Sequence, residues 1–446
     1  MKGINLDKAE MPLHTELPDG THLTESDIEV LMEINRRHTH AIVGGRNVVI
    51  SLRHCQVQGE SFAFESLNEF KTAFIHKPKI AKKNPAQAWL EWGSKNYMPN
   101  GTGFYPVVSK CPAGVFNFFQ GYRVNPVKGD CAIYLDHLLN VVCAGDIANY
   151  NYLCGWLAHA VQRPDEKPNV AVVLKSVEGT GKGTMVEPVL QIFGSHASKI
   201  NGAGNVAGRF NGVVANKLLI FADEVDLTDP KVSDKLKSII SETTVNMERK
   251  GLEVEPLPNY CRLIFASNRG RVINAGLRER RYFVLEPSDE KAQDIEYFKR
   301  LREWINDGGS SKLLHYLLEV DISEFSPYKC PQTKALIDEK LSSLAGVNQF
   351  FYEQITSNDP FGGVRRISAT DLVDKFHLWN ISEGHQISKA SCRSSLGKLL
   401  SKLKFEAIGR SDRGEGVFYE LPEAVVVGEV FYKYLGISKD EMVLKI

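Results

Sequence analysis

At 446 residues the chain exceeds the roughly 250–300 residues that one hydrophobic core supports, so two or three domains are expected. Its composition, 43% hydrophobic and 24% charged, is that of an ordinary soluble globular protein. Lys+Arg and Asp+Glu both number 54, so any surface that attracts nucleic acid must be local. The eight cysteines form no Cys-x-x-Cys pair, which argues against a zinc knuckle, and they are too few for a disulfide scaffold. They read as reduced thiols that mostly fill the core. The N-terminus has no apolar signal region, and no apolar run approaches the ~20 residues of a membrane span. A cytoplasmic protein without a membrane partner is expected.

In chain order, residues 1–20 are polar, contain two prolines and read as a loose arm. Thr24 and Asp27 form a helix N-cap signature before IEVLMEINRRH. AIVGGRNVVISL reads as two short strands around a Gly44-Gly45 turn. FAFESLNEFKTAF and PAQAWLEWGSKNY suggest a strand and helices, with PNGTGFYPV as a turn-rich break. Residues 1–125 are therefore expected to be a small α+β module. Trp89, Trp92 and Tyr97 belong to its core rather than to a base-stacking platform. The closest histidines, His38 and His40, lack metal-ligand spacing.

Residues 126–165, with YLDHLLNVVC and ANYNYLCGWLAHAV, have helical apolar spacing and read as a collar. From VAVVLK onward strands alternate with helices to about residue 310, the mark of a parallel α/β sheet, and 166–325 is expected to be the core domain. After Pro331, GVNQFFYEQIT, SATDLVDKFHLWNI and SKASCRSSLGKLLSKL read as three helices, followed by strands FEAIGR and GVFYELP. Residues 326–446 thus follow a winged-helix pattern. Ten Lys/Arg against five Asp/Glu lie between Phe361 and Arg413. Lys389 and Arg393, with Lys398 and Lys402, sit on or near the third of these helices, where such a module meets DNA, and Arg410 and Arg413 fall in the wing. A protein-docking domain with a solvated basic face is the competing reading.

The chemistry concentrates in the core. In VAVVLKSVEGTGKGT an apolar strand enters a glycine-rich turn and then a helix. Glu178, Gly179, Thr180, Gly181, Lys182, Gly183 and Thr184 form a phosphate cradle, because glycines let backbone N–H groups turn inward at a helix N-terminus. Lys182 reaches the β/γ-phosphates. Ser176 replaces the usual first glycine and Gly183 the usual hydroxyl, so Thr184 is left as the metal-side hydroxyl. KLLIFADEVD ends a buried strand in Asp223, for Mg²⁺ through its water shell, and Glu224, as general base for water. RLIFASN ends in Asn268, whose amide can bond attacking water and γ-phosphate. GLRERRYFVLEP carries Arg278, Arg280 and Arg281, and either Arg280 or Arg281 could serve as an arginine finger.

Taken in order, SVEGTGKGT, LLIFADEVD, RLIFASN and LRERRYF resemble a superfamily 3 helicase within the AAA+ ATPases, closest to the helicase part of phage and poxvirus-type primase–helicases. The resemblance spans roughly residues 130–290 and implies a P-loop ATPase using ATP and Mg²⁺, assembled as a hexamer around single-stranded DNA. It also implies a channel hairpin within VNMERKGLEVE, with Lys250 and Arg249 on DNA phosphates. No paired-carboxylate or zinc constellation for a primase or polymerase is present, so priming is expected from another chain. Two alternatives stay open. One is an origin-binding initiator on duplex DNA that ATP switches. The other is a nucleotide phosphotransferase, which the GKGT ending also suits.

Overall fold

The computed structural model describes residues 13–55, 59–202, 214–247, 255–276, 279–357, 359–363, 365–409 and 416–437. Near the N-terminus, β1 (His38–Val43), β2 (Arg46–Cys55), β3 (Gly59–Ser66) and β4 (Tyr97–Met98) form a sheet in the order β3-β2-β1-β4. The turn between β1 and β2 is the expected Gly44-Gly45, with φ of 56° and 72°, a pair of left-handed residues that suits a two-residue hairpin. The helix Glu25–Arg37 starts in the capping box read from Thr24 and Asp27. Trp89 and Trp92 are buried as expected, whereas Tyr97 is exposed beside His40 and Lys95. The expected loose arm is corrected for residues 13–20. Leu17 is buried, and the buried Trp92 indole donates to the His14 carbonyl at 2.8 Å, because that N–H requires an acceptor.

A short pair, β5 (Thr102–Gly103) and β6 (Phe116–Asn117), leads to the collar helices Ala132–Asp136 and Ile147–Gln162. The central sheet then comprises β7 (Ala171–Lys175), β8 (Ala197–Asn201) and β9 (Leu219–Asp223). A separate antiparallel pair follows, β10 (Thr244–Met247) with β11 (Glu255–Pro258). The central sheet resumes with β12 (Arg262–Ser267) and β13 (Tyr282–Leu285). Its order is β13-β7-β12-β9-β8, and every neighbouring pair is parallel. Parallel strands covered on both faces read as unbroken apolar runs, and β7 shows why. Val172 and Leu174 face one core, which includes the collar and the helix Ser310–Glu319. Ala171 and Val173 face the other. The first of these cores also draws Phe104, Phe116, Phe118 and Phe119 from the segment before the collar.

The C-terminal part has its own core. Helices Val347–Thr356, Ala369–Ser382 and Lys389–Lys402 match the three expected. The strands are β14 (Arg366–Ser368), β15 (Ala407–Ile408) and β16 (Phe418–Glu420), in the order β14-β16-β15. The sequence reading lacks β14, which is three residues long, and the final helix Ala424–Tyr434. No helix among the described residues is long and apolar enough to cross a membrane.

Candidate nucleotide site

The parallel sheet brings three strand ends to one edge. In register, Ser267 pairs with Lys175, and Phe265 with Ala222. Asn268 therefore emerges level with Ser176, between the glycine-rich loop on one side and Asp223 and Glu224 on the other. A crevice at the carboxyl ends of parallel strands is where such sheets bind ligands.

The loop has the conformation that its sequence requires. Gly179 and Gly181 have φ of 80° and 86°. A Cβ on Gly181 would stand 2.6 Å from the Phe298 ring and 2.8 Å from that of His137, so both backbone and space demand glycine. Lys182 begins the helix Lys182–Phe193. Ser176, in place of the usual glycine, ties the loop shut: its hydroxyl lies 2.6 Å from that of the buried Thr180, which also donates to the Val177 carbonyl. The Thr180 side chain is thus structural, leaving its backbone for a ligand. Thr184 is the third residue of the helix and Gly183 is exposed.

The Lys182 ammonium donates to the Ser176 carbonyl at 2.7 Å, the Val177 carbonyl at 3.0 Å and the Asn268 amide oxygen at 2.8 Å. The Asn268 amide nitrogen donates to Glu178 at 3.3 Å. Burial lowers the lysine's pKa, opposed by the charges of Asp223 and Glu178. The structure therefore joins Lys182, Asn268 and Glu178 directly, with Asp223 in electrostatic range. Asp223 also lies 3.9 Å from Lys199. Glu224 is exposed and has φ of 54°, a left-handed conformation costly for glutamate and concentrated at functional sites. The acidic turn is pinned to β12: Val225 donates to the Ala266 carbonyl at 3.1 Å, Ser267 to the Val225 carbonyl at 2.8 Å, and Arg269 pairs with Asp226 at 2.6 Å.

Arg280 and Arg281 lie at the opposite end of the sheet, just before β13. Here the structure separates two residues that the sequence could not. Arg281 donates to the Ser241 hydroxyl at 2.9 Å, whereas Arg280 is exposed with no side-chain partner among the described residues. The buried Glu279 carboxylate accepts the backbone N–H of both, fixing the turn. Arg278, Arg249, Lys250, Arg410 and Arg413 lie outside the described residues; β10 and β11 flank the segment holding Arg249 and Lys250.

In the C-terminal part, Lys389 pairs with Asp374 at 2.8 Å and Lys402 sits over Tyr434. Arg393 and Lys398 are exposed without such partners among the described residues. Next to the loop is a cavity of about 500 Å³, bounded by Ser176 and Val177, the turn 142–146, residues 284–289 and Thr333–Ala335. Sequence reasoning missed this cavity because its walls come from four separated segments. No cluster of three potential metal-ligating side chains exists among the described residues.

A family model described as a family of unknown function, DUF5906, matches residues 174–281. The DNA primase-polymerase of Nitratiruptor phage NrS-1 is 28% identical over 228 residues, covering 50% of this chain and 31% of that protein. The match thus spans less than a third of that relative's length. The apo structure of the NrS-1 C-terminal region, 305–718, aligns with a TM-score of 0.65 at 16% identity, covering 89% of this chain and 99% of that one. Its A form gives 0.64 at 17% identity, covering 89% and 98%. The chain therefore shares the mixed α/β fold of that region.

Proposed function

We propose that this protein is an ATP-driven DNA helicase of the superfamily 3, AAA+ type, in a phage or mobile-element replication system, working as a hexameric ring on single-stranded DNA. The observation that carries this reading is the placement of Asn268 immediately after β12, between the phosphate loop after β7 and the acid pair at the end of β9, with Lys182 bonded to Asn268 at 2.8 Å. Numbered along the chain, the five strands run fifth, first, fourth, third, second. That order sets a polar amide where it can read whether water or γ-phosphate faces the acids. The similarity to a protein named a DNA primase-polymerase supports the replication setting. Priming would come from a primase-polymerase, on this polypeptide or another.

In this reading, Lys182 and the N–H groups of residues 178–184 bind the phosphates, and the 500 Å³ cavity takes the base and ribose. Mg²⁺ commonly uses one or two carboxylates plus phosphate and water, so the partly exposed Asp223 with Thr184 fits it. Bound there, it would neutralise charge on the β- and γ-oxygens. Glu224 accepts the proton of the attacking water, and Asn268 orients that water. Arg280 of a neighbouring copy stabilises charge on the transferring phosphoryl group. Lys250 and Arg249 grip the DNA backbone. The C-terminal order of helix, strand, two helices and two strands suits a winged helix, with Arg393 and Lys398 its freest phosphate contacts.

The test is hydrolysis and unwinding with the full chain. ATPase activity should rise with single-stranded DNA and vanish in Lys182→Ala, together with unwinding of a tailed duplex. Hydrolysis indifferent to DNA, with no unwinding, would refute the motor. Sequence-specific duplex binding without unwinding would instead favour the initiator reading, which the C-terminal module motivates.

A further inference from the structure

Behind the phosphate loop, away from the crevice, stands a side chain that the proposed chemistry does not use. His137 follows the collar helix Ala132–Asp136 and is fully buried. Its Nδ1 lies 3.0 Å from the Tyr297 hydroxyl, on the helix Ile295–Trp304. Its Nε2 has no partner at hydrogen-bonding geometry among the described residues. That nitrogen faces Gly181, where a Cβ would stand 3.1 Å from it. A buried, unpaired ring nitrogen is costly and calls for an explanation.

The Gly181–Lys182 peptide supplies one. The Gly181 carbonyl accepts the first bond of the helix, from Met185 N–H at 3.0 Å, and so points along the helix. The N–H of the same peptide belongs to Lys182. It points the opposite way, toward the site of the phosphates. A donor on the carbonyl therefore fixes the plane of this peptide and strengthens its N–H, since hydrogen bonds in a chain polarise one another. With the Tyr297 hydroxyl donating to Nδ1, the ring proton rests on Nε2, beside that carbonyl. Burial draws the His137 pKa down to about 4, so the ring is neutral at pH 7; the Gly181 backbone opposes this shift, as an acceptor for the ring N–H would. One helical turn earlier, Tyr134 donates to the Met185 carbonyl at 2.6 Å, anchoring the collar to the same helix.

We infer that His137 is a positioning residue for the phosphate loop: it donates from Nε2 to the Gly181 carbonyl when phosphate fills the loop, and Tyr297 holds it in the required tautomer. The inference rests on the phosphate-loop reading.

Affinities of the full chain for Mg-ATP and for inorganic tripolyphosphate, by calorimetry, test both separately. Lys182→Ala gives the baseline for a disabled loop. His137→Phe keeps the ring and loses the donor, and should weaken both ligands about tenfold. His137→Gln restores a donor and should recover most of that loss. Tyr297→Phe should weaken both ligands several-fold, and added to His137→Phe should cost little more, because the two act through one bond. Binding by His137→Phe equal to that of the parent would overturn the inference, as would His137→Gln no better than His137→Phe. If His137→Phe does not fold, unchanged binding by Tyr297→Phe overturns it. A parent that binds neither ligand removes the phosphate-loop reading itself.

Discussion

Arg280 cannot serve the loop of its own chain. Tyr282 pairs with Ala171 at the start of β7, and the loop begins only after Lys175. Five residues of strand span about 17 Å, beyond the reach of an arginine that starts below the sheet. Glu279 holds the backbone of the turn, and Ser241 and Glu279 hold Arg281, so of the two arginines Arg280 is the one whose guanidinium has no partner among the described residues. Arg280→Ala should reduce DNA-stimulated hydrolysis on the order of 10³-fold and leave ATP binding intact, while Arg281→Ala costs less. A mixing experiment tests whether the residue acts across an interface. Lys182→Ala keeps the finger and Arg280→Ala keeps the loop. In a random equal mixture, half the loops are intact, and half of those face an intact finger. About a quarter of wild-type activity should therefore return from two inactive proteins, as a head-to-tail interface requires. Steady-state phosphate release measures it, with light scattering to confirm co-assembly. A co-assembled mixture that stays inactive, or an Arg280→Ala protein that hydrolyses normally, would refute the reasoning.

Three other outcomes are expected. The buried Glu339 carboxylate pairs with Lys175 at 2.9 Å and accepts the N–H groups of Val272 and Ile273 at 3.0 Å each. Glu339→Leu strands a cation and two donors and should cost about 3–5 kcal/mol, seen as a lower urea midpoint; an unchanged midpoint would contradict this. Ser288→Trp, at the half-buried wall of the 500 Å³ cavity, should weaken ATP at least about tenfold but spare tripolyphosphate; equal effects on both would remove the base from that cavity. Burial draws His38, His137, His159 and His196 from 6.5 down to about 4. Between those values the unfolded chain binds protons that the fold excludes. Stability should thus be complete above pH 6.5 and fall through this window by up to about 1.4 kcal/mol per pH unit for each histidine; a urea midpoint that rises from pH 7 to pH 5 would contradict this.

The strand ends and the glycine-rich loop of the candidate site were legible because their determinants are local. Apolar runs with glycines or acids at their ends specify both a buried parallel strand and what emerges from it, as in VAVVLKSVEGTGKGT and LLIFADEVD. Three kinds of feature were not legible. Supports made by distant segments leave no local pattern: Glu339 reaches Lys175 across the fold, and Arg262, a buried charge in an apolar strand, donates to the carbonyls of Arg163 and Glu166 at the end of a collar helix. Discrimination between adjacent like residues was the second, since what distinguishes Arg281 from Arg280 among the described residues is its contact with the distant Ser241 hydroxyl and its pairing with the Glu279 carboxylate at 3.9 Å. The third is small elements whose stability is tertiary, such as β14, three residues held by β16.

The arrangement of Lys182 also governs what its removal would measure. In the structure the Lys182 ammonium is satisfied by two carbonyls and the Asn268 amide. A phosphate must compete with these acceptors, so part of the attraction offsets their loss. The same contacts position the lysine in advance, which lowers the ordering cost of binding. Lys182→Ala also removes one of the two partners of Asn268, which keeps Glu178, and takes from Asp223 and Glu178 a cation that offsets their charge, leaving Asp223 with Lys199 at 3.9 Å. The loss of affinity therefore contains a repulsive part as well as a missing attraction. Lys182→Met, which keeps the aliphatic stem and removes the charge, would show the same repulsion. Adding Asp223→Asn to it should recover binding of tripolyphosphate in the absence of Mg²⁺, because one anion is then gone. If the double variant binds tripolyphosphate no better than Lys182→Met, Asp223 does not face the phosphates, and the reading of the acidic strand end fails.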